Sequence, residues 1–381
     1  MRILHVCAGN PFTESMYYKE NYLIEANLED GHEPVVLADT SLWREGRVAE
    51  TDPGSFRMAN GTRVIRVRFQ NMLFPMLTRK LRKIPNFPAL AASLEPDVIL
   101  FHNIFQYGVA QLREIRERLP GCKIYGDVSS SADNSGRTFL SRWVLHGMIY
   151  RRWIQKSLPD WDKIFYVAEP SREFLRSVYD VPDSLLELNP LPARIMSREE
   201  KRRRGEAFRK AHGVPRGGPV LFHSGKMNAL KRTVEMLRIV RSLETAYDFR
   251  LFIAGSFSGE IKEEAEGLMN GSDRIVYLGF LGQDELQTAL AACDLYLQPG
   301  SASQTAQAAI ACGAPVIVGS RGYYDAFVQE NGYLIDDVSE LSAILPELLA
   351  RPDRLAEMSE QSYKVAERFF DYRKLAARLY Q

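Results

Sequence analysis

Two doubly wound α/β domains are the architecture this sequence predicts, and three observations carry that reading. The chain has 381 residues, more than the roughly 150 of a common single domain and enough for two. Short apolar runs alternate with helix-length amphipathic segments through both halves, the pattern of a parallel sheet covered on both faces. Between the halves, the proline-rich LNPLPAR (Leu188–Arg194) and the charged SREEKRRRGEAFRKAHG break the alternation. The domains are expected to span 1–190 and 191–364 and to face each other across a cleft. The terminal helix at 365–381 is expected to pack back on the first domain.

The first half opens with the strand RILHVC, followed by a helical pattern through Tyr18–Leu28 and a strand in Gly31–Asp39. Pro96–Asn103 (PDVILFHN) reads as a buried strand, Gly108–Leu119 as a helix and Lys123–Asp127 as a strand. A long helix is expected over Arg137–Ser157, then the strand KIFYVA and the helix PSREFLRSVY. The charged stretch after the linker reads as a solvated surface helix. A second alternating series runs from Pro219 to about Leu349, and the rest is helical in pattern.

Composition narrows the function classes. The formal net charge is +1 with a quarter of the residues charged, which gives no electrostatic footprint for nucleic acid. Cys7, Cys122, Cys293 and Cys312 are scattered among apolar runs, the habit of reduced core thiols, and the histidines add no metal-ligand spacing. MRILHVCAG is a strand and a glycine turn, not a signal sequence, and no run approaches the ~18 apolar residues of a membrane span. The expected location is cytoplasmic.

Three elements of the second half look built for phosphate. They are FHSGKMNALKRTVEML with Gly225, Lys226 and Lys231; IAGS with Gly255; and LYLQPGSASQTAQAAIACGAPVIV with Gly300. Each is placed where a strand should turn into a helix. There a glycine lets the backbone approach an anion, and the helix offers unpaired N–H groups and the positive end of its dipole. Lysines at such turns supply charge that a departing diphosphate needs. The plain alternative is tight turns and solvated lysines.

The order and spacing of these pieces resemble the GT-B nucleotide-sugar glycosyltransferases, specifically the retaining group called glycosyltransferase group 1. SGKMNALKR resembles that family's G-R-x4-K-G element, with Lys226 at the arginine position and Lys231 at the lysine position. RIVYLGFLGQDELQTALAACDLYLQPG, ACGAPVIV, NGYLI and ERFFDYRKLAARLY are similar to later family segments, in the expected order. The resemblance implies a GT-B fold and a hexosyl- or N-acetylhexosaminyl-transferase of polysaccharide or glycoconjugate assembly. It would move a sugar, with retention, from a nucleotide diphosphate donor to a glycan or lipid-linked acceptor. It implies no cofactor and no metal, since basic side chains neutralise the leaving diphosphate, whose phosphate can take the acceptor's proton.

One departure stands out. The family carries two glutamates eight residues apart, and alignment on Ala311-Cys312-Gly313 puts Gly300 and Ala308 at those places. Gln307 is the candidate to bind ribose instead, because an amide can hydrogen-bond hydroxyls. Ser301, Ser303 and Gln304 would line the sugar and phosphate side. Phe280, after the strand IVYLG, is a candidate to flank the nucleobase or else a core aromatic.

In the first half, Gly9 is a place for acceptor or diphosphate to approach the backbone. His102 ends VILFH and Asp127 ends KIYGD; either could orient or deprotonate a hydroxyl, or be structural. Glu169 is a weaker candidate. From Arg63 to Lys83 the chain has seven basic residues and no acid, interleaved with apolar side chains, and Arg137–Lys156 repeats the theme. Such surfaces suit an anionic membrane, so peripheral contact with the inner membrane face is expected. The competing readings are a non-catalytic sugar-nucleotide-binding protein and a GT-B epimerase. A plain Rossmann dehydrogenase fits poorly, because no G-x-G-x-x-G follows the first strand.

Overall fold

The computed structural model describes residues 1–380 except 15, 17, 45, 46, 73, 134, 136 and 137. The chain divides into unit 1, Met1–Pro192 with Tyr372–Gln381, and unit 2, Ala193–Asp371.

Unit 1 holds strands β1 (Arg2–Cys7), β2 (Glu33–Asp39), β3 (Ser41–Arg44), β4 (Arg47–Glu50), β5 (Gly54–Arg57), β6 (Arg63–Val67), β7 (Val98–His102), β8 (Lys123–Val128), β9 (Lys163–Tyr166) and β10 (Leu186–Leu188). Eight form one sheet in the order β10-β9-β8-β7-β1-β2-β6-β5, and β3 and β4 pair separately. All neighbours in the large sheet run parallel except the edge pair β5–β6. The central strands are buried on both faces, which is why they read as continuous apolar runs. The direction of winding reverses between β1 and β7, so their carboxyl ends, Cys7 to Gly9 and His102 to Asn103, flank the switch point.

The helices of this unit are α1 (Lys19–Glu29), α2 (Pro75–Leu81), α3 (Phe87–Ser93), α4 (Leu112–Arg118), α5 (Arg151–Ser157) and α6 (Glu169–Tyr179). The expected helix over Gly108–Leu119 is a 3-10 turn, Tyr107–Gln111, leading into α4. The long helix is a π-helix over Leu140–Tyr150 continuing into α5; Arg137, its expected start, lies outside the described residues.

Unit 2 begins with α7 (Arg198–Ala211), capped by the Ser197 hydroxyl accepting from the Glu200 N–H. Its strands are β11 (Val220–Met227), β12 (Arg250–Phe257), β13 (Ile275–Gly279), β14 (Leu295–Gln298), β15 (Val316–Gly319) and β16 (Gly332–Ile335), in the all-parallel order β13-β12-β11-β14-β15-β16. Between them run α8 (Thr233–Leu243), α9 (Gly259–Asn270), α10 (Gln283–Ala292) and α11 (Gln304–Ala311), followed by α12 (Leu341–Leu349) and α13 (Pro352–Phe369). The winding reverses between β11 and β14. Leu221, Leu237, Ile253, Leu297 and Ile317 belong to the buried core beneath that point.

A final helix, α14 (Tyr372–Ala377), returns to unit 1 and packs on α1. Tyr372, Leu375 and Leu379 share a core cluster with Ile3, Tyr22, Leu23 and Leu100, and the Tyr372 hydroxyl donates to the Glu29 carboxylate.

Candidate functional site

In unit 2 the switch point gathers the loops after β11 and β14. The Ser301 N–H donates to the Leu230 carbonyl at 2.8 Å. Gly300 sits so close to this turn that a Cβ there would overlap the Leu230 carbonyl oxygen. Lys231 then reaches across, and its ammonium donates to the carbonyls of Ser301 (2.9 Å) and Ala302 (2.8 Å). Gly225 completes the cluster, because a Cβ on it would lie 3.8 Å from Lys231 Cε and 3.9 Å from Ser303 Oγ. Gly225, Lys231, Gly300, Ser301 and Ser303 are therefore neighbours.

Lys231 is buried, and among the described residues no carboxylate pairs with it. Burial alone lowers its pKa to about 8. An ammonium held by two carbonyls and no counter-ion leaves a local excess of positive charge. The first turn of α11 follows, with Ser303 Oγ accepting from the Thr305 N–H.

The structure changes the reading of four residues. Gly225 and Gly255 are not in helix-entry turns; they lie opposite each other in the paired strands β11 and β12, at φ of 137° and 127°. A Cβ on Gly255 would overlap the Gly225 carbonyl oxygen, so that glycine is required by the neighbouring strand. Lys226 belongs to β11 and is exposed, whereas Lys231 turns inward, so spacing alone does not bring the two ammonium groups together. The side chain of Phe280 is 86% exposed, which removes the core-aromatic alternative.

Gln304 is exposed at the start of α11. Gln307 is buried, with its Oε1 lacking a hydrogen-bond donor. Sequence reasoning missed the polar layer below: Gln298 Nε2 donates to the Ser301 carbonyl at 3.0 Å, and the Tyr296 hydroxyl lies 3.2 Å from Gln298 Oε1.

At the switch point of unit 1, β7 ends in His102, and beside it Asp127 is the last residue but one of β8, both buried. Asp127 is not a helix cap. Its Oδ2 receives the ammonium of Lys19, at the start of α1, at 2.8 Å. Burial works against the charge of Lys19, but Asp127 and Glu20 outweigh it and its pKa rises.

His102 stacks on His5, with ring centroids 5.2 Å apart, and the two rings form a hydrogen-bonded chain. His5 Nε2 faces Asn27 Oδ1 at 2.8 Å and must donate. Its Nδ1 is then the acceptor for the Nε2–H of His102 at 2.9 Å. Both rings are neutral, because burial lowers His5 to about 4 and His102 well below its ordinary value. The remaining nitrogen, His102 Nδ1, carries a lone pair 3.9 Å from Asp127 Oδ2. Neither His102 Nδ1 nor Asp127 Oδ1 has a donor. Two unpartnered buried acceptors call for a donor such as a hydroxyl.

His102 also lines a small recess with Cys7, Asn10, Thr13 and Glu20. Gly9 packs against the same strand end, where a Cβ would come within 2.5 Å of the His102 carbonyl oxygen. Glu169 is exposed and pairs with Arg172 at 2.9 Å.

A hollow of about 930 Å³ in unit 2, lined by Lys201, Arg209, Arg216 and Asp294, opens beside Pro219 and Pro315. Those residues precede β11 and β15, at the amino ends of the strands. Ligands of such sheets bind at the carboxyl ends, so the site is assigned to the switch point. Among the described residues, no group of three His, Cys, Asp or Glu side chains is arranged to hold a metal ion. No helix among them is long and apolar enough to cross a membrane.

Residues 205–365 match the family model of glycosyl transferases group 1. Over 168 residues the chain is 29% identical to the 2-deoxystreptamine glucosyltransferase of Streptomyces kanamyceticus, covering 42% of this chain and 40% of that protein. The match thus spans about two-fifths of the length of that curated relative. Sucrose-phosphate synthase from Thermosynechococcus elongatus is similar in structure, with a TM-score of 0.71 at 15% identity, over 99% of this chain and 96% of that one. HepE of Anabaena, solved in complex with UDP, gives 0.66 at 15% identity, over 99% and 98%. At those identities the likeness is one of fold. The chain thus has the GT-B fold, and its residues 205–365 match the model of glycosyl transferases group 1.

Proposed function

We propose that this protein transfers a hexosyl or N-acetylhexosaminyl group from a nucleoside diphosphate sugar to a glycan or lipid-linked acceptor. The transfer retains anomeric configuration and needs no bound metal. The observation that carries this reading is Lys231, an ammonium without a carboxylate partner, set between glycine-bearing loops at the switch point of unit 2. An anionic diphosphate supplies the missing charge, and Lys226 and main-chain N–H groups add to it.

In the reaction the acceptor oxygen bonds to the anomeric carbon as that carbon's bond to the diphosphate oxygen breaks. The hydroxyl proton passes to the departing phosphate. Buried acceptors at His102 Nδ1 and Asp127 Oδ1 suit the orientation of a sugar hydroxyl. Gln307, with its free Oε1, is the assigned ribose contact.

The test is a panel of nucleotide sugars and free nucleoside diphosphates against wild type and Lys231→Met. Thermal shift reports binding, and proton NMR reports the anomeric configuration of product. A ligand at 100 times its Kd stabilises by about 2.7 kcal/mol, and that shift is expected to shrink in the variant. Inverted product would refute retention, and no response to any nucleotide would refute the transferase reading. Gly300 and Ala308, at the places of the family's glutamates, favour a second reading as a sugar-nucleotide binder. Binding without turnover across a broad acceptor panel would establish it.

A further inference from the structure

Six of the thirteen large apolar side chains exposed among the described residues lie in two elements of unit 1. Phe74 and Met76 are at the start of α2; Phe139, Leu140, Trp143 and Met148 lie on or beside the π-helix. The winding of that helix matters. Hydrogen bonds from i to i+5 stack side chains four and five residues apart, so Phe139, Trp143 and Met148 fall on one outward stripe. In an α-helix, at about 100° per residue, Met148 would point opposite to Phe139. The buried residues follow the same spacing, with Leu145, His146 and Tyr150 facing inward. The two elements are tied together where the Tyr150 hydroxyl donates to the Lys80 carbonyl at 2.7 Å.

The charge on these elements has one sign. From Phe69 to Leu94 and from Thr138 to Pro159 there is no Asp or Glu. Arg79, Lys80, Arg142, Arg152 and Lys156 are exposed, and none pairs with a carboxylate among the described residues. Arg151, half-buried among them, pairs with Asp180 instead.

We propose that this face of unit 1 docks on an anionic lipid bilayer. The apolar stripe enters the headgroup boundary and the unpaired bases contact lipid phosphates. Apolar insertion combined with a polybasic surface is the pairing that holds a peripheral protein at a membrane. A protein partner would have to offer an equally one-sided acidic face around an apolar centre, which the bilayer provides by composition. The inference rests on surface chemistry and stands apart from the transfer reaction.

The test is flotation with phosphatidylcholine vesicles, with and without phosphatidylglycerol, at low salt. Wild type is expected to float only with the anionic vesicles. At about a fivefold contribution per base, Arg79→Gln/Arg142→Gln/Arg152→Gln is expected to weaken partitioning on the order of a hundredfold. Phe139→Ser/Trp143→Ser/Met148→Ser is expected to abolish it while thermal unfolding stays unchanged. Brominated lipid should quench wild-type fluorescence, and Trp143→Phe should remove that quenching. No flotation with anionic vesicles overturns the proposal. So does flotation that both triple variants leave intact, or a wild-type dimer that those variants dissolve.

Discussion

Diphosphate binding to unit 2 is expected to take up a proton at alkaline pH, and Lys231 is the group that takes it. In the free protein this lysine titrates at about 8 instead of 10.5, because burial strips solvent from its ammonium. That displacement corresponds to about 3 kcal/mol held against the charged form. Below pH 8 the folded and unfolded chains are both protonated here, and the folded state bears the whole cost. Between pH 8 and 10.5 the unfolded chain keeps a proton that the folded chain has shed, so stability rises with pH across that window.

A bound diphosphate reverses the balance. An anion beside the ammonium favours its charged form and returns the pKa toward or above 10.5. Near pH 9 the free site is then about nine-tenths deprotonated, and each binding event draws in about 0.9 proton. Affinity should fall about tenfold per pH unit above 8 and be flat below 7. Calorimetric titration of UDP in two buffers of different ionisation enthalpy counts those protons. Subtracting the Lys231→Met titration cancels the ionisation of the nucleotide. An identical proton count in both proteins, or an affinity flat from pH 7 to 9.5, would refute the argument.

Gly255→Ala should destabilise unit 2 by about 3 kcal/mol or more, because the new Cβ has nowhere to go but into the Gly225 carbonyl of the paired strand. Urea unfolding measures it, and a loss under 1 kcal/mol would show that the strands part easily. Lys19→Met should cost unit 1 about 3–5 kcal/mol by stranding a buried carboxylate. Adding Asp127→Asn should recover part of that, so a double variant as unstable as the sum of the singles would contradict a coupled pair.

The central strands were legible in the sequence, since VILFH and LYLQ are unbroken apolar runs between turns. Both groups of candidate residues follow from that, lying at strand ends. What escaped was non-local. Gly255 looked like a phosphate turn because nothing in IAGS tells of the Gly225 carbonyl on the next strand. Lys19 carried no signal of its own, because its partner Asp127 lies on β8, far along the chain. Strands β3 to β5 are short and largely exposed, so they have no apolar run to announce them. The π winding of Leu140–Tyr150 was invisible because the same apolar residues fit a helix of either pitch by eye.

The return of α14 to unit 1 governs how the chain can come into being. A ribosome delivers β1 to β10 first, yet the face of α1 that Tyr372, Leu375 and Leu379 cover stays bare until the last residues emerge. All of unit 2 must be synthesised in between, a delay of roughly ten seconds or more at about 5–20 residues per second. The earlier-made domain is thus the later one to be completed. Any fragment ending near Pro192 would carry an open apolar seam that only the far terminus, supplied as a separate peptide, could close.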